Sequence, residues 1–196
     1  LRAVLGADAD ETQVRLLTRK TFRSFGRYLC EFFGAAGCDR SFFEKNVRVV
    51  GRENLDEALA KGRGLLFVSG HYSNWELGAF VVGRLGYRIL IVAQIHSDPR
   101  VNELFVRARG VHGVEVAPTA NGARAALRAL RDNRPVAILG DRSTGGPTVD
   151  VRLCGRTTGF PQGPWRLALD TGAPLLPTFM RREADGSYTL LIGAPL

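Results

Sequence analysis

At 196 residues, 45% hydrophobic and 23% charged, the chain reads as one globular body able to bury a sizeable core. It lacks the run of roughly 18 to 20 apolar residues that a spanning helix needs, and no charged-then-apolar leader opens it. A net charge of +8 and a pI near 10.1 favour anionic partners, whereas three cysteines without C-x-x-C spacing exclude a disulfide framework or a zinc site.

The first long element is a helix over Glu11 to Phe33, ended by Gly34 and Gly37. Val14, Leu17, Phe22, Phe25, Leu29 and Phe32 form an irregular apolar face between Arg15, Arg19, Lys20, Arg23 and Arg27. Such a basic amphipathic helix suits a membrane surface, and it equally suits packing on the chain's own sheet with its charges solvated. Val47 to Val50 reads as a short strand, followed by a helix carrying Leu55, Ala58 and Leu59 that closes at Gly62 and Gly64.

Leu65 to Val68 is a continuous apolar run between glycines, the pattern of a strand buried on both faces. From Asn74 onward Trp75, Leu77, Phe80 and Val81 fall at helical spacing, with Ser73 as N-cap and Glu76 as its box partner. His71 therefore sits in a strand-to-helix turn. Further elements follow in alternation: a strand at Arg88 to Ala93, a helix from Pro99 to about Gly110, a strand at Val114 to Val116 and a helix over Ala120 to Arg131. Pro135 to Leu139 is again a buried strand, leading to Gly140-Asp141-Arg142 and the loop Ser143 to Pro147. Val149 to Leu153 and Thr157 to Phe160 are extended pieces around Gly155. A helix over Pro164 to Asp170 precedes two last strands, Pro174 to Met180 and Tyr188 to Ile192. Alternation of this kind argues for an α/β fold with a mixed, largely parallel sheet flanked by helices. Ligand groups in open α/β sheets collect at the carboxyl ends of strands, where both His71 and Asp141 are expected.

With His71 in the turn, Glu76 in the first helical turn can reach back to one imidazole nitrogen, leaving the other to take a proton from a hydroxyl. Glu76 as no more than a capping partner is the plain alternative. Rival motifs fail on the same residues. Ser69 lacks the G-x-S-x-G of a nucleophile elbow, no lysine follows Gly145-Gly146 as a phosphate loop requires, and no G-x-G-x-x-G opens a helix. His71, His96 and His112 are too scattered to form a recognisable metal set, and nucleic acid has only the charge in its favour.

His71-Tyr72-Ser73-Asn74-Trp75-Glu76 matches the H-x4-[D/E] signature of the lysophospholipid acyltransferase superfamily, and its setting resembles the lipid A biosynthesis acyltransferases. The resemblance runs from about Thr21 to Leu196. It includes Asn102 to Gly113 with Arg109, the PVAILGD stretch with Asp141, and the run from Pro161 to Arg182. It departs from the family at Leu153-Cys154, where an aromatic pair usually precedes the glycine, and in the family's N-terminal membrane anchor, which is not among these residues.

The resemblance implies a glycerolphosphate-acyltransferase-like single domain over residues 1–196, lacking that anchor and part of the C-terminus. It further implies transfer of a fatty acyl group from a thioester, on acyl carrier protein, to a hydroxyl of a lipid A precursor, at the cytoplasmic face of a bacterial inner membrane. No cofactor is implied beyond the thioester co-substrate. The expected roles are His71 and Glu76 as catalytic base and its orienter, Arg109 as oxyanion or phosphate binder, and Asp141 and Arg142 as supporting residues. Asp141 would fix an arginine or the acceptor. Two alternatives stand beside this: an acyl-CoA-dependent enzyme acting on phosphatidylinositol mannoside or another glycolipid, and a non-catalytic basic module that binds membrane surfaces.

Overall fold

The computed structural model describes residues 1–6, 8–143 and 145–196, so Thr144 of the loop after Asp141 lies outside the described residues. In chain order the elements are α1 (Arg2–Leu5), α2 (Glu11–Ala36), α3 (Arg40–Asn46), β1 (Val47–Val50), α4 (Arg52–Ala60), β2 (Leu65–Ser69), α5 (Trp75–Arg84), β3 (Leu90–Ala93), α6 (Pro99–Gly110), β4 (Glu115–Pro118), α7 (Thr119–Arg131), β5 (Pro135–Leu139), β6 (Thr148–Leu153), β7 (Arg156–Pro161), α8 (Gly163–Thr171), β8 (Leu175–Arg182) and β9 (Tyr188–Ile192).

Seven strands form one sheet in the order β1-β9-β8-β2-β5-β3-β4. Every neighbouring pair is parallel except β8 with β9. The mixed α/β fold expected from the alternation is the one observed. Period-two alternation divides the core between the two faces of the sheet. Leu65 and Phe67 point into one apolar cluster with residues of α2, α5 and α6, such as Phe32, Phe80 and Phe105. Leu66 and Val68 point into the other, with Ala126 and Leu130 of α7 and Leu167 of α8. A strand covered on both sides has no polar face to spare, hence its unbroken apolar sequence. Gly64, at φ 64°, enters β2 so tightly that a Cβ there would lie 2.8 Å from the Arg134 carbonyl oxygen.

The ladders are uneven in a way that matters for the site. β5 stays paired with β2 to Ser69↔Leu139, and β3 stays paired with β4 to Ala93↔Pro118. Between β3 and β5 the register ends at Ile91↔Ala137. The sheet therefore opens between these two strands at their carboxyl ends.

Some details differ from the sequence reading, among them the unanticipated short α1. α2 continues through Gly34 to Ala36 and stops at Gly37, because Phe32 and Ala35 are buried and hold the extra turn against the core. α3 was not anticipated; Asp39 caps it by accepting from the Phe42 N–H at 3.1 Å, and Phe43 anchors it. The cap of α5 is Asn74, whose Oδ1 accepts from the Leu77 N–H at 3.1 Å, whereas Ser73 is turned out of that position by a φ of 54°. The extended pieces around Gly155 form a separate β6–β7 hairpin, with Cys154 and Gly155 at φ 50° and 73° as its two-residue turn.

Candidate active site

His71 and Asp141 meet because β2 and β5 are parallel neighbours in register. The last register pair is Ser69↔Leu139, and each functional residue lies two positions beyond it. The exit is pinned by the Gly140 N–H, which donates to the Ser69 carbonyl at 2.8 Å. Asp141 then takes two bonds from one residue: the His71 backbone N–H donates to Oδ2 at 2.9 Å, and the ring Nδ1 lies 2.8 Å from Oδ1. Burial pushes the Asp141 carboxyl up, but the bonds from His71 outweigh it and hold the group below the usual carboxylate range. An ionised Asp141 can only accept, so Nδ1 carries the proton and Nε2 of the neutral ring is left as an acceptor. Trp75 meets the imidazole edge to face at 4.8 Å between centroids, and Tyr28 stacks on Trp75 at 4.4 Å. The side chains of His71 and Asp141 keep 29% and 34% of their surface exposed, so the pair is oriented yet open to a substrate.

Glu76 has a different partner from the one expected. Its side chain is 5% exposed and turns inward from the first turn of α5 to meet Arg109 of α6, which is 7% exposed. Arg109 Nε donates to Oε2 at 3.0 Å and a terminal nitrogen donates to Oε1 at 2.5 Å, a bidentate pair. Phe32 and Phe105 face the guanidinium at 5.9 and 5.4 Å from their ring centroids. The expectation that Glu76 holds the imidazole is thus corrected: a carboxylate this deep needs a cation, and α6 supplies one, while the imidazole takes its carboxylate from the neighbouring strand. Arg109, expected at an oxyanion or phosphate, spends its fork on Glu76. Asp141, expected to fix an arginine or the acceptor, fixes His71. Arg142 is exposed and lines the same cleft.

A further group was not singled out from sequence. Asn74 is fully buried, and besides capping α5 it donates to Glu31 Oε2 at 3.2 Å. Glu31 also receives Arg182 of β8 at 3.0 and 2.5 Å and Arg27 at 2.8 Å. Burial raises the Glu31 carboxyl, but the bonds from Arg182, Tyr188, Arg27 and Asn74 bring it below its ordinary value. The available signal was an acid on the α2 face that also carries Tyr28, Phe32 and Ala35. Glu31 thereby ties α2 to the residue that closes the His71 turn.

His71, Glu76 and Arg109 border a cleft of about 990 Å³, near the upper end of the roughly 300–1,000 Å³ common for small-molecule sites. One wall comes from α2, α5 and β8, including Phe25, Gly78 and Met180. The other comes from α7 and α8, including Ala123 and Leu167, reached where β3 and β5 part. The walls are largely apolar, and charged or polar side chains enter them at His71, at the paired Glu76 and Arg109, at Gln94 and His96, and at Arg142, Arg166 and Asp170.

A mixed α/β sheet thus presents an acid-oriented histidine from a strand end at the edge of a largely apolar cleft, an arrangement chemically able to move a proton beside an apolar ligand. The full chain, residues 1–196, matches the family described as bacterial lipid A biosynthesis acyltransferase, and it belongs to that family. Among curated proteins it is similar to a phosphatidylinositol mannoside acyltransferase of Mycolicibacterium smegmatis, 31% identical over 175 residues, covering 87% of this chain and 57% of that protein. It is also similar to a phosphatidylinositol mannoside acyltransferase of Mycobacterium tuberculosis, 33% identical over 173 residues, covering 85% of this chain and 54% of that one. The chain thus spans about half the length of the curated relatives it matches.

Proposed function

We propose that the protein transfers a fatty acyl group from a thioester to a hydroxyl of a glycosylated phospholipid of the phosphatidylinositol mannoside type. The observation that carries acyl transfer is the His71–Asp141 pair, held by two hydrogen bonds at the edge of a cleft with apolar walls. The names of the relatives favour a mannoside acceptor over the lipid A precursor expected first. In the reaction, His71 Nε2 removes the acceptor hydroxyl proton as its oxygen attacks the thioester carbonyl. The tetrahedral intermediate collapses by breaking the C–S bond, and the imidazolium returns the proton to the departing thiolate. Asp141 holds the tautomer and stabilises the imidazolium while it exists. Glu76 and Arg109 neutralise one another beneath the site and fix α5 against α6.

The same reading places the protein at an anionic membrane surface. Phe22, 74% exposed, and the exposed Leu16 and Phe25 lie on α2 among Arg15, Arg19, Lys20 and Arg23, and Thr21, Ser24 and Phe25 border the cleft. A lipid acceptor could then enter from the bilayer without crossing water. Among the described residues no helix is long and apolar enough to cross a membrane.

The deciding experiment incubates the protein with palmitoyl-CoA or palmitoyl acyl carrier protein and either a phosphatidylinositol mannoside or a lipid A precursor, with the products read by mass spectrometry. A mass gain of one acyl group on the mannoside, absent with His71→Ala, is expected. Acylation of the lipid A precursor alone would replace the acceptor class, and full transfer by folded His71→Ala would remove the mechanism.

A further inference from the structure

Helix α5 carries a glycine that neither the helix nor its packing requires. Gly78 is buried in the helix interior and lines the cleft that His71 borders. Glycine there weakens a helix relative to alanine. A Cβ built on Gly78 would stand 3.5 Å from Leu190 Cδ1 and 3.8 Å from Met180 Cβ, ordinary contact distances that leave room for it. Gly83 in the same helix is the contrasting case, since a Cβ there would fall 2.0 Å from the His112 carbonyl oxygen and no side chain could be accommodated. What Gly78 leaves is space in the cleft. Its apolar neighbours on that wall are Phe67, Val82, Met180 and Leu190, all buried, and the polar groups of the same wall are already paired, Glu76 with Arg109 and the Thr178 hydroxyl with the Leu176 carbonyl. This arm is lined mainly by hydrocarbon and its polar groups are spent on one another, unlike the part of the cleft that carries the exposed Arg142 with Arg166 and Asp170.

We propose that Gly78 is a specificity-determining residue that sets the length of acyl chain accepted. This rests on the acyl-transfer reading above. With the thioester carbonyl at His71, the hydrocarbon runs along the wall that α5 makes with β8 and β9, and the missing side chain at position 78 admits its distal carbons. A competing route leads through the opening between β3 and β5 toward Ala123 of α7.

The test compares wild type, Gly78→Ala, Gly78→Leu and Ala123→Leu with saturated acyl-CoA thioesters from decanoyl to stearoyl. Gly78→Ala is expected to fold with a Tm at or above wild type, and to move the preferred chain slightly shorter. Gly78→Leu is expected to lower the stearoyl-to-decanoyl ratio of kcat/KM by tenfold or more, since each methylene kept from burial costs about fourfold in affinity. Ala123→Leu leaves that ratio unchanged. A folded Gly78→Leu protein with the wild-type ratio, or a shift produced by Ala123→Leu alone, overturns the proposal. Calorimetric binding of non-transferable acyl-CoA thioethers to the same four proteins separates this inference from the broader one. If wild type binds the thioethers but acylates no acceptor, acyl transfer fails as the function, and Gly78 is still decided by whether Gly78→Leu discriminates against the long thioethers. Wild type that binds none of them overturns the Gly78 assignment as well.

Discussion

At the scale of single residues, two acid–base pairs of opposite exposure are expected to divide rate from stability. His71 lines the cleft and Asp141 beside it is partly exposed, so removing them is expected to cost rate and little stability. His71→Ala should lose about 10² to 10⁴ in kcat/KM, the usual worth of positioned proton transfer, with an unchanged denaturation midpoint. Asp141→Asn should lose roughly tenfold or more, because an amide no longer enforces the Nδ1–H tautomer. Glu76 and Arg109 are nearly sealed from solvent, and the opposite balance is expected. Glu76→Ala leaves a buried guanidinium without its carboxylate and should destabilise by about 3–5 kcal/mol, read by urea denaturation. If Glu76→Ala instead matched His71→Ala, with lost rate and intact stability, the division of roles would be wrong. His71 itself was legible in the sequence as a polar residue at the end of a buried strand. Its partner was not, because local spacing sees Glu76 five positions on, whereas the pairing with Asp141 depends on which strand lies beside β2.

At the scale of elements, the helices on the α5 face are tied together by polar groups as well as apolar packing. His112, just beyond α6, places Nε2 2.9 Å from the Ala35 carbonyl of α2, and its Nδ1 accepts from Arg84 Nε of α5 at 2.8 Å. Phe43 and Phe80 pack against the ring. Burial first, and then the charge of Arg84, push the imidazole below its ordinary pKa, although the bond to Ala35 pulls the other way. The unfolded chain therefore binds this proton more readily than the folded one. The stability that depends on neutral His112 is complete above about pH 6.5 and is lost as pH falls from there toward the lowered folded value. Urea midpoints measured from pH 8 to 5 should decline with acid, and His112→Phe should flatten that part of the curve; an equal slope in the variant would rule the histidine out as its source. Most strands and the longer helices could be read from periodicity, since burial on two faces leaves continuous apolar runs. The short α3 could not, because its hold is one buried phenylalanine and one cap. The sequence pattern makes Ser73 the cap of α5, and the left-handed backbone turn at Ser73 gives that place to Asn74, a side chain of the same capping class.

At the scale of the whole molecule, charge and apolar exposure coincide on α2, beside the cleft. Cosedimentation with vesicles containing anionic phospholipid should therefore be strong at low salt and fall as salt rises, with Phe22→Asp weakening it while acylation of a detergent-dispersed acceptor persists. Binding to neutral vesicles with equal strength would remove charge from the account. Net charge made an anionic partner legible from composition, but the location of the exposed aromatics beside the cleft is a property of the folded chain. The parallel register of β2 and β5 has a further consequence, for refolding. His71 and Asp141 are 70 residues apart in sequence, and the ladder that aligns them closes a loop containing α5, β3, α6, β4 and α7. Contacts that distant form late, after the local helices. Activity in a refolding experiment should consequently lag behind the recovery of helical signal, and a fragment ending before β5 should regain helix without any turnover at all.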